Sequence, residues 1–210
     1  MLGVKILEEK TSLINGKVSV VKSLGLGTYI QVANLTQSGG VVYGVWKQTL
    51  SHIRNTNPKI QRVLILGLGG GSAAKLVQKY WPKAKITGVD IDPVMVEMGR
   101  KYLGLENVET VIEDAQDFLS ANSHQSPDIK YDLILIDLYV GDEVPAKFET
   151  DNYIHLVRSC LERGRVAVFN RLYFGEKRSQ AVKFGEKLDK NFPKVERFFP
   201  EANIMFICFA

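Results

Sequence analysis

A loop rich in glycine is the first feature of this sequence that could do chemistry. Gly67, Gly69 and Gly71 follow an apolar run at 62–66 and precede Ser72, where a helical pattern begins. Glycine lets a backbone approach a ligand closely, and the first turn of a helix offers free N–H groups, so this loop suits a nucleotide-like ligand. The alternative is that the glycines only make a tight turn between a strand and a helix. The spacing is G-x-G-x-G rather than the dinucleotide pattern G-x-G-x-x-G, because Ser72 stands where that pattern requires glycine.

Two acids follow the next two apolar runs and strengthen the ligand-binding interpretation. Asp90 stands where a carboxylate can accept hydrogen bonds from two ribose hydroxyls. Asp92 has a competing role, because it precedes Pro93 and could cap the next helix. Asp114, followed by Ala115, could accept a hydrogen bond from an adenine amino group or could equally cap a helix. Open α/β sheets bind ligands at the carboxyl ends of their strands, so the loop and the acids together predict a nucleoside site.

A further acid, Asp137, ends a buried run at 131–136 and would face the same cleft. There it could hold or deprotonate an attacking amine. The alternative is a helix or turn cap. Tyr139 either forms a wall of the cleft or covers the loop that follows.

The elements that must position these residues follow from the alternation of apolar runs with helical segments. Continuous Val/Ile/Leu strands separated by helices predict a parallel sheet covered on both faces. The predicted strands are 62–66, 85–89, 108–112, 131–136 and 164–170. The predicted helices are 72–81, 93–103, 115–121, 151–161 and 176–191. The last two runs, 194–199 and 203–209, are too close together for a parallel crossover, so an antiparallel hairpin is predicted.

The stretch before this pattern is predicted to be a small N-terminal unit. Strands are predicted at 17–22 and 28–33 after an Asn-Gly turn signal, followed by a helix at 42–54. We therefore divide the chain into a β-meander plus helix at 1–58 and a Rossmann-like nucleoside-binding domain at 59–210.

The composition excludes several classes of protein. The chain has 210 residues, of which 45% are hydrophobic and 24% charged, which excludes a largely disordered chain and a polytopic membrane protein. The net charge is +4 without a dense Lys/Arg run, so no nucleic-acid partner is expected. The two cysteines, Cys160 and Cys208, and the isolated histidines lack zinc spacing, so no metal is expected. Without a signal-peptide core or a long apolar run, we expect a cytoplasmic protein with no membrane partner.

The motifs resemble those of the spermidine synthase family, specifically its spermidine-synthase-like branch of the class I S-adenosylmethionine-dependent methyltransferase fold. The resemblance is carried by 67–71, 90–93, 113–115 and 131–137 in order, and more weakly by Gln37 and Tyr43 upstream. It implies a seven-stranded sheet whose last strand is antiparallel. It also implies transfer of an aminopropyl group from decarboxylated S-adenosylmethionine to a small amine such as putrescine.

The resemblance also implies roles for individual residues. The cofactor would be bound by Gly67, Gly69, Gly71, Asp90, Asp114, Ala115 and Gln37. Asp137 would be the catalytic carboxylate beside the reacting amine, and Tyr43, Tyr139 and Asp142 would contact the substrate. The β-rich N-terminal segment is a plausible homodimer surface in this family.

Two departures from the family pattern keep other functions open. Gly70 replaces an acid of the glycine loop, and Val140 replaces the second acid of the family's D-S-S-D-P motif. Asp142 could substitute for that second acid if its loop bends inward, or it could be a solvated turn residue. The alternatives are a methyltransferase that uses S-adenosylmethionine and a non-catalytic nucleoside-binding or interaction protein.

Overall fold

The N-terminal part of the chain forms an antiparallel sheet. The structure is a computed structural model that describes residues 3–56, 59–125 and 130–210. The strands pair in chain order and are β1 (Val4–Ser12), β2 (Gly16–Ser23), β3 (Gly27–Val32) and β4 (Leu35–Gly39). Helix α1 (Gly40–Thr56) begins directly after β4. Gly39 has a φ of +75°, and a Cβ there would lie 2.5 Å from the Thr28 carbonyl oxygen, so this abrupt turn requires glycine.

The apolar runs after residue 59 form a larger sheet. In the described part of the chain its seven strands are β5 (Arg62–Leu66), β6 (Lys85–Asp90), β7 (Glu109–Ile112), β8 (Tyr131–Ile136), β9 (Leu161–Leu172), β10 (Lys194–Phe198) and β11 (Asn203–Phe209). Their order is β10-β11-β9-β8-β5-β6-β7, and β11 is antiparallel to both of its neighbours while the other pairs are parallel. The predicted fold class, a Rossmann-like seven-stranded class I methyltransferase fold with an antiparallel last strand, is confirmed. The carboxyl ends of β5 to β9 therefore meet at one edge of the sheet.

Helices cover both faces of this sheet. They are α2 (Ser72–Tyr80), α3 (Pro93–Tyr102), α4 (Ala115–Gln125), α5 (Asp151–Ser159) and α6 (Lys177–Asn191), with a 3₁₀ turn at Ala146–Glu149 before α5. Alternate residues of β5 point to opposite cores, as a pleated strand requires. Leu64 and Leu66 pack with α4, α5 and α6, whereas Val63 and Ile65 pack with α1 and α2. Among the described residues, no helix is both long enough and apolar enough to cross a membrane.

The N-terminal sheet is held against the larger fold through two elements. Helix α1 contributes Trp46 and Leu50 to the core that covers the larger sheet. Val20 and Ile30 of the N-terminal sheet share a smaller core with Met95 of α3. The division of the chain at residues 58 and 59 stays a prediction, and α1 belongs to the helical layer of the larger sheet.

Candidate active site

The glycine-rich loop closes over the end of β6. The N–H groups of Gly67 and Leu68 both donate to the Val89 carbonyl oxygen, at 2.9 and 3.0 Å. Gly67 has a φ of +84°, and a Cβ at this position would lie 2.1 Å from the Asp137 carbonyl oxygen. Only glycine fits there, so the tight turn that the sequence suggested is present and brings the loop against the end of β8.

Asp90 is tied to this loop and is half-buried. Its Oδ2 accepts from the Gly69 N–H at 2.6 Å, and its Oδ1 accepts from the Asp92 N–H at 2.9 Å. Burial raises the pKa of Asp90 to about 6, against the opposing effect of these two backbone donors. The carboxylate is thus held rigidly at the strand end, where it lines the large cavity described below.

Asp92 plays the capping role. Its Oδ1 accepts from the Val94 N–H at 2.9 Å at the start of α3, and its Oδ2 accepts from the Ser12 hydroxyl and the Asn15 amide, each at 2.6 Å. The turn between β1 and β2 is thereby fastened to the end of β6. Ile14 and Asn15 of this turn line the same cavity as Asp90.

Asp114 follows β7 and is paired. Its Oδ1 accepts from the Gln116 N–H at 2.9 Å, which caps α4, and its Oδ2 forms an ion pair with Lys147. Asp114, Ala115 and Lys147 all line the cavity. Capping therefore does not remove Asp114 from the site, because one carboxylate can serve both the helix and the cavity.

Asp137 is half-buried and held by two side chains. Its Oδ2 accepts from the Trp46 indole N–H and its Oδ1 from the Asn170 amide, both at 2.8 Å. Asn203 in turn donates its side-chain amide to Asn170 Oδ1 at 2.8 Å. Burial raises the pKa of Asp137, while these two hydrogen bonds act in the opposite direction.

One cavity of about 530 Å³ brings most of these groups together. This volume is within the range of small-molecule sites. The predicted site residues that line it are Gln37, Gly67, Gly69, Asp90, Asp114, Ala115, Asp137 and Tyr139. Gln37 also connects β4 to the loop after β8, because its Nε2 donates to the Gly141 carbonyl oxygen at 3.1 Å.

Three predicted site residues do not line the cavity; they are Gly71, Tyr43 and Asp142. Gly71 and Tyr43 line a separate cleft beside the start of α2. Asp142 forms an ion pair with Lys177 at 3.1 Å. The loop therefore does not bend Asp142 inward, and this acid does not take the place of the one that Val140 lacks. Substrate contact by Tyr43 and Asp142 has no support from this geometry.

Tyr139 lines the cavity, but its hydroxyl is already engaged with β9. The hydroxyl oxygen accepts from the Leu172 N–H at 2.9 Å and lies 3.3 Å from the Asn170 carbonyl oxygen, to which it donates. Burial raises the pKa of Tyr139, so the group stays protonated. The ring forms a wall of the cavity, as the sequence analysis suggested.

Trp46 and Asn170 are site residues that the sequence analysis did not identify. Trp46 is 1% exposed and packs in the core beneath the larger sheet, and its indole N–H also donates to Asp137. Asn170 lies near the carboxyl end of β9, so applying the strand-end rule to this strand as well would have found it. No local pattern indicated Trp46, which lies 91 positions from its partner.

Removing the Trp46 indole N–H should make Asp137 harder to ionise. The substitution Trp46→Phe keeps an aromatic ring but removes a hydrogen bond to a half-buried carboxylate, which contributes roughly tenfold or more. We expect kcat for the reaction proposed below to fall about tenfold at pH 7 and its acid limb to move to higher pH. The matched control is Trp81→Phe, since the Trp81 indole N–H has no acceptor among the described residues. Equal pH profiles for the two variants would contradict the role of Trp46.

Protonation of Asp90 should weaken nucleoside binding. Ribose hydroxyls donate best to an ionised carboxylate, and in the free protein this carboxylate has a pKa of about 6. The carboxyl group of Asp90 must lose its proton when it binds the ribose. The affinity for the nucleoside therefore falls as the pH drops through the Asp90 pKa of about 6, and it is constant at higher pH. Calorimetric titration of 5′-methylthioadenosine between pH 5 and pH 8 measures this. Asp90→Asn should remove the dependence in this range, and a wild-type affinity that does not vary with pH would contradict the assignment.

Comparison with known proteins decides the family. Residues 45–201 match the family model described as the spermine/spermidine synthase domain, which is most of the chain. The chain belongs to the spermine/spermidine synthase family. The match begins within α1 and ends at the turn between β10 and β11, so it includes both groups that hold Asp137.

The curated relatives of this chain are named for two different activities. The chain is 29% identical over 146 residues to a polyamine aminopropyltransferase of Vibrio vulnificus, covering 66% of this chain and 48% of that protein. It is 27% identical over 155 residues to the mouse eEF1A lysine and N-terminal methyltransferase, covering 70% of this chain and 22% of that protein. The chain thus spans about half or less of the length of these curated relatives.

A solved structure supports the fold of this family member. The spermidine synthase of Thermotoga maritima superposes with a TM-score of 0.77 at 18% identity, over 98% of this chain and 72% of that one. At this identity the likeness concerns the fold. Within the described residues, no His, Cys, Asp and Glu side chains are grouped as metal ligands would be.

Proposed function

We propose that this chain is an aminopropyltransferase that moves an aminopropyl group from decarboxylated S-adenosylmethionine to a small amine such as putrescine. The observation that carries the proposal is the half-buried carboxylate of Asp137, held on both oxygens at one end of a cavity whose other end has the features of a nucleoside site. The family match and the aminopropyltransferase relative support the same reaction class.

The nucleoside end fits the donor. The Asp90 carboxylate is presented at the strand end for the ribose hydroxyls, and Gly67 and Gly69 keep the adjacent backbone free of side chains. Asp114 and Lys147 form an ion pair that lines the cavity near the end of β7. A carboxylate acceptor beside an ammonium donor suits the hydrogen-bonding edge of an adenine. Decarboxylated S-adenosylmethionine supplies, when bound, an electrophilic methylene next to a sulfonium.

The charge of the cavity suits a cationic acceptor. The carboxylates that line it in the described part of the chain are Asp90, Glu113, Asp114, Asp137 and Glu201. Lys147 is the one cation among the described lining residues. The net charge of +4 belongs to the whole chain and gives no indication of this local excess of acid.

Asp137 can position and deprotonate the acceptor. Its raised pKa means that it takes a proton from an ammonium more readily than an exposed aspartate does. The amine nitrogen then bonds to the methylene carbon, the carbon–sulfur bond breaks, and sulfur keeps the electron pair as a neutral thioether. The proton that Asp137 took from the ammonium passes to solvent, and the product nitrogen keeps its remaining hydrogens as a secondary ammonium. Alignment of the two substrates provides most of the acceleration, because a sulfonium leaves readily.

The glycine loop favours a second candidate, a methyltransferase that uses S-adenosylmethionine. A Cβ at Gly70 would lie 2.7 Å from Ile30 Cδ1 and 2.9 Å from Ser38 Cβ. The Ser38 hydroxyl also accepts from the Gly70 N–H at 2.8 Å, so β4 occupies the side of the loop on which an acid would project. Gly70 carries no charge and so does not repel the carboxylate of the donor. This loop therefore suits unmodified S-adenosylmethionine, which has that carboxylate. The mouse methyltransferase relative agrees with this candidate.

A comparison of the two donors separates these candidates. Titration calorimetry should show tighter binding of decarboxylated S-adenosylmethionine than of S-adenosylmethionine, and incubation with putrescine should release 5′-methylthioadenosine. The reverse preference, with methyl transfer, would exclude aminopropyl transfer. Binding of neither donor would favour a non-catalytic interaction protein. The homodimer and the cytoplasmic location stay predictions.

A further inference from the structure

An acceptor with two amines presents a problem of charge in this cavity. If the proposed function holds, one amine of putrescine lies at Asp137, and the other stays protonated. Taking an ammonium out of water without a partner is costly. A diamine site therefore needs a second carboxylate on the acceptor side of the cavity.

The positions nearest to Asp137 in the sequence do not supply that carboxylate. Val140 is apolar, and Asp142 is paired with Lys177 outside the cavity lining. Of the carboxylates that line the cavity, Asp90 and Asp114 follow β6 and β7 at the nucleoside end. Glu113 precedes Asp114 in the same loop. Glu201 is the remaining acid among the described lining residues.

Glu201 lies on the acceptor side, in the turn between β10 and β11. Strand β11 is two strands away from β8 in the sheet order, which is about 10 Å. The turn is joined to Asp137 through a short network, because Asn203, two positions after Glu201, donates to Asn170, which donates to Asp137. The carboxylates of Asp137 and Glu201 thus lie on the same wall of the cavity, about two strand spacings apart.

The carboxylate of Glu201 is available to a cation. Its Oε1 accepts a hydrogen bond from the Gln48 amide of α1 at 3.2 Å, which holds it towards the fold. In the part of the chain that the structure describes, no Lys, Arg or His side chain forms an ion pair with it. By contrast, Asp114 is paired with Lys147 at the nucleoside end.

Apolar side chains line the cavity between the two acids beside the amides of Asn170 and Asn203. Strand β9 lies between β8 and β11 in the sheet order, and Leu172 at its end and Phe174 just beyond it both line the cavity. Ala202 lines it beside Glu201. Apolar walls with a carboxylate at each end suit a chain of methylenes with an ammonium at each end.

We propose that Glu201 binds the distal ammonium of a linear diamine whose reacting amine lies at Asp137. Glu201 is then the residue that makes the enzyme select diamines over monoamines, in place of the acid that Val140 lacks.

The test compares putrescine with butylamine, which has the same carbon chain but no distal ammonium. Glu201 is an exposed residue, where an ion pair contributes less than in a closed site. Glu201→Gln should therefore lower the ratio of kcat/KM for putrescine to that for butylamine about threefold to fivefold, mainly through KM for putrescine. Glu201→Lys should lower it further. The matched control is Glu196→Gln, which removes an acid of β10 that pairs with His52 and Lys194 and does not line the cavity. Binding of 5′-methylthioadenosine and thermal melting confirm that the variants are folded.

Each outcome decides the proposal. An unchanged substrate ratio in Glu201→Gln, with aminopropyl transfer intact in the wild type, overturns the role of Glu201 and leaves the proposed function standing. If the wild type transfers no aminopropyl group, the proposed function fails, and calorimetric titration of putrescine and butylamine into the protein loaded with 5′-methylthioadenosine decides the binding site. Tighter binding of putrescine that depends on Glu201 supports the site, and equal binding of the two amines overturns it.

Discussion

Asp137→Asn is expected to lower kcat for aminopropyl transfer about a thousandfold, within the range for loss of a general base. The amide cannot take the proton of the attacking amine. We expect the dissociation constant for 5′-methylthioadenosine to stay within about threefold, because Asp137 lies at the acceptor end of the cavity and nucleoside binding uses other residues. Single-turnover rates with putrescine and calorimetric titration of the nucleoside measure the two effects separately.

The variant should fold because its neighbours can rearrange their hydrogen bonds. Trp46 can still donate to the new amide oxygen, while the new NH₂ group would meet the NH₂ group of Asn170. Asn170 and Asn203 form a chain of amides, so turning both of them over reverses each donor and acceptor and restores the pairing. Asp117→Asn, on the exposed side of α4, is the matched control for loss of an acid. Full activity of Asp137→Asn would show that this carboxylate is not the base.

Asp90→Ala is expected to weaken nucleoside binding at least a hundredfold. The substitution removes the acceptor that we propose for two ribose hydroxyls, and hydrogen bonds to a charged group contribute about tenfold or more each. It also leaves the N–H groups of Gly69 and Asp92 without their carboxylate partner, so the loop loses its tie to the end of β6. Calorimetric titration with 5′-methylthioadenosine measures the loss.

A second substitution separates the charge of Asp90 from its shape. Asp90→Asn keeps an oxygen for one backbone N–H and removes the charge, so we expect an intermediate affinity. If Asp90→Ala binds the nucleoside as tightly as the wild type, the ribose does not lie at this strand end. Lys147→Ala, which removes the ion pair with Asp114, should by comparison have a smaller effect because Asp114 keeps its bond to Gln116.

The larger sheet could be predicted closely because its strands are short apolar runs. The bounds of β5, β8 and β11 match the predictions to the residue. Strand β9 is longer than predicted because it begins at Leu161, which pairs with Tyr131, and the mostly polar and exposed residues that follow lie in an irregularity of this pairing before Val166. Strands β1 and β4 gave no apolar signal, since most of their side chains are exposed or only half-buried. Their existence depends on pairing with β2 and β3.

The candidate site was predictable where the fold alone places a residue. Asp90, Asp114 and Asp137 follow parallel strands, whose carboxyl ends must meet at one edge. Asp142 was not predictable in this way, because the direction of a loop side chain depends on Lys177, which comes from another element. Glu201 was missed for a similar reason. An acid in a short hairpin turn is expected to face solvent, and only the sheet order brings this turn near β8.

The attachment of the β1–β2 turn to Asp92 has a consequence for the timing of the catalytic cycle. Ile14 and Asn15 cover the cavity beside the strand that carries Asp90, and the bonds from Ser12 and Asn15 keep this cover in place. A nucleoside that leaves the cavity past this turn has to lift it. Lifting the turn breaks two hydrogen bonds to a buried carboxylate, and motions of this kind set the turnover of many enzymes. The pace of repeated cycles would then be governed by a hairpin that takes no part in bond making.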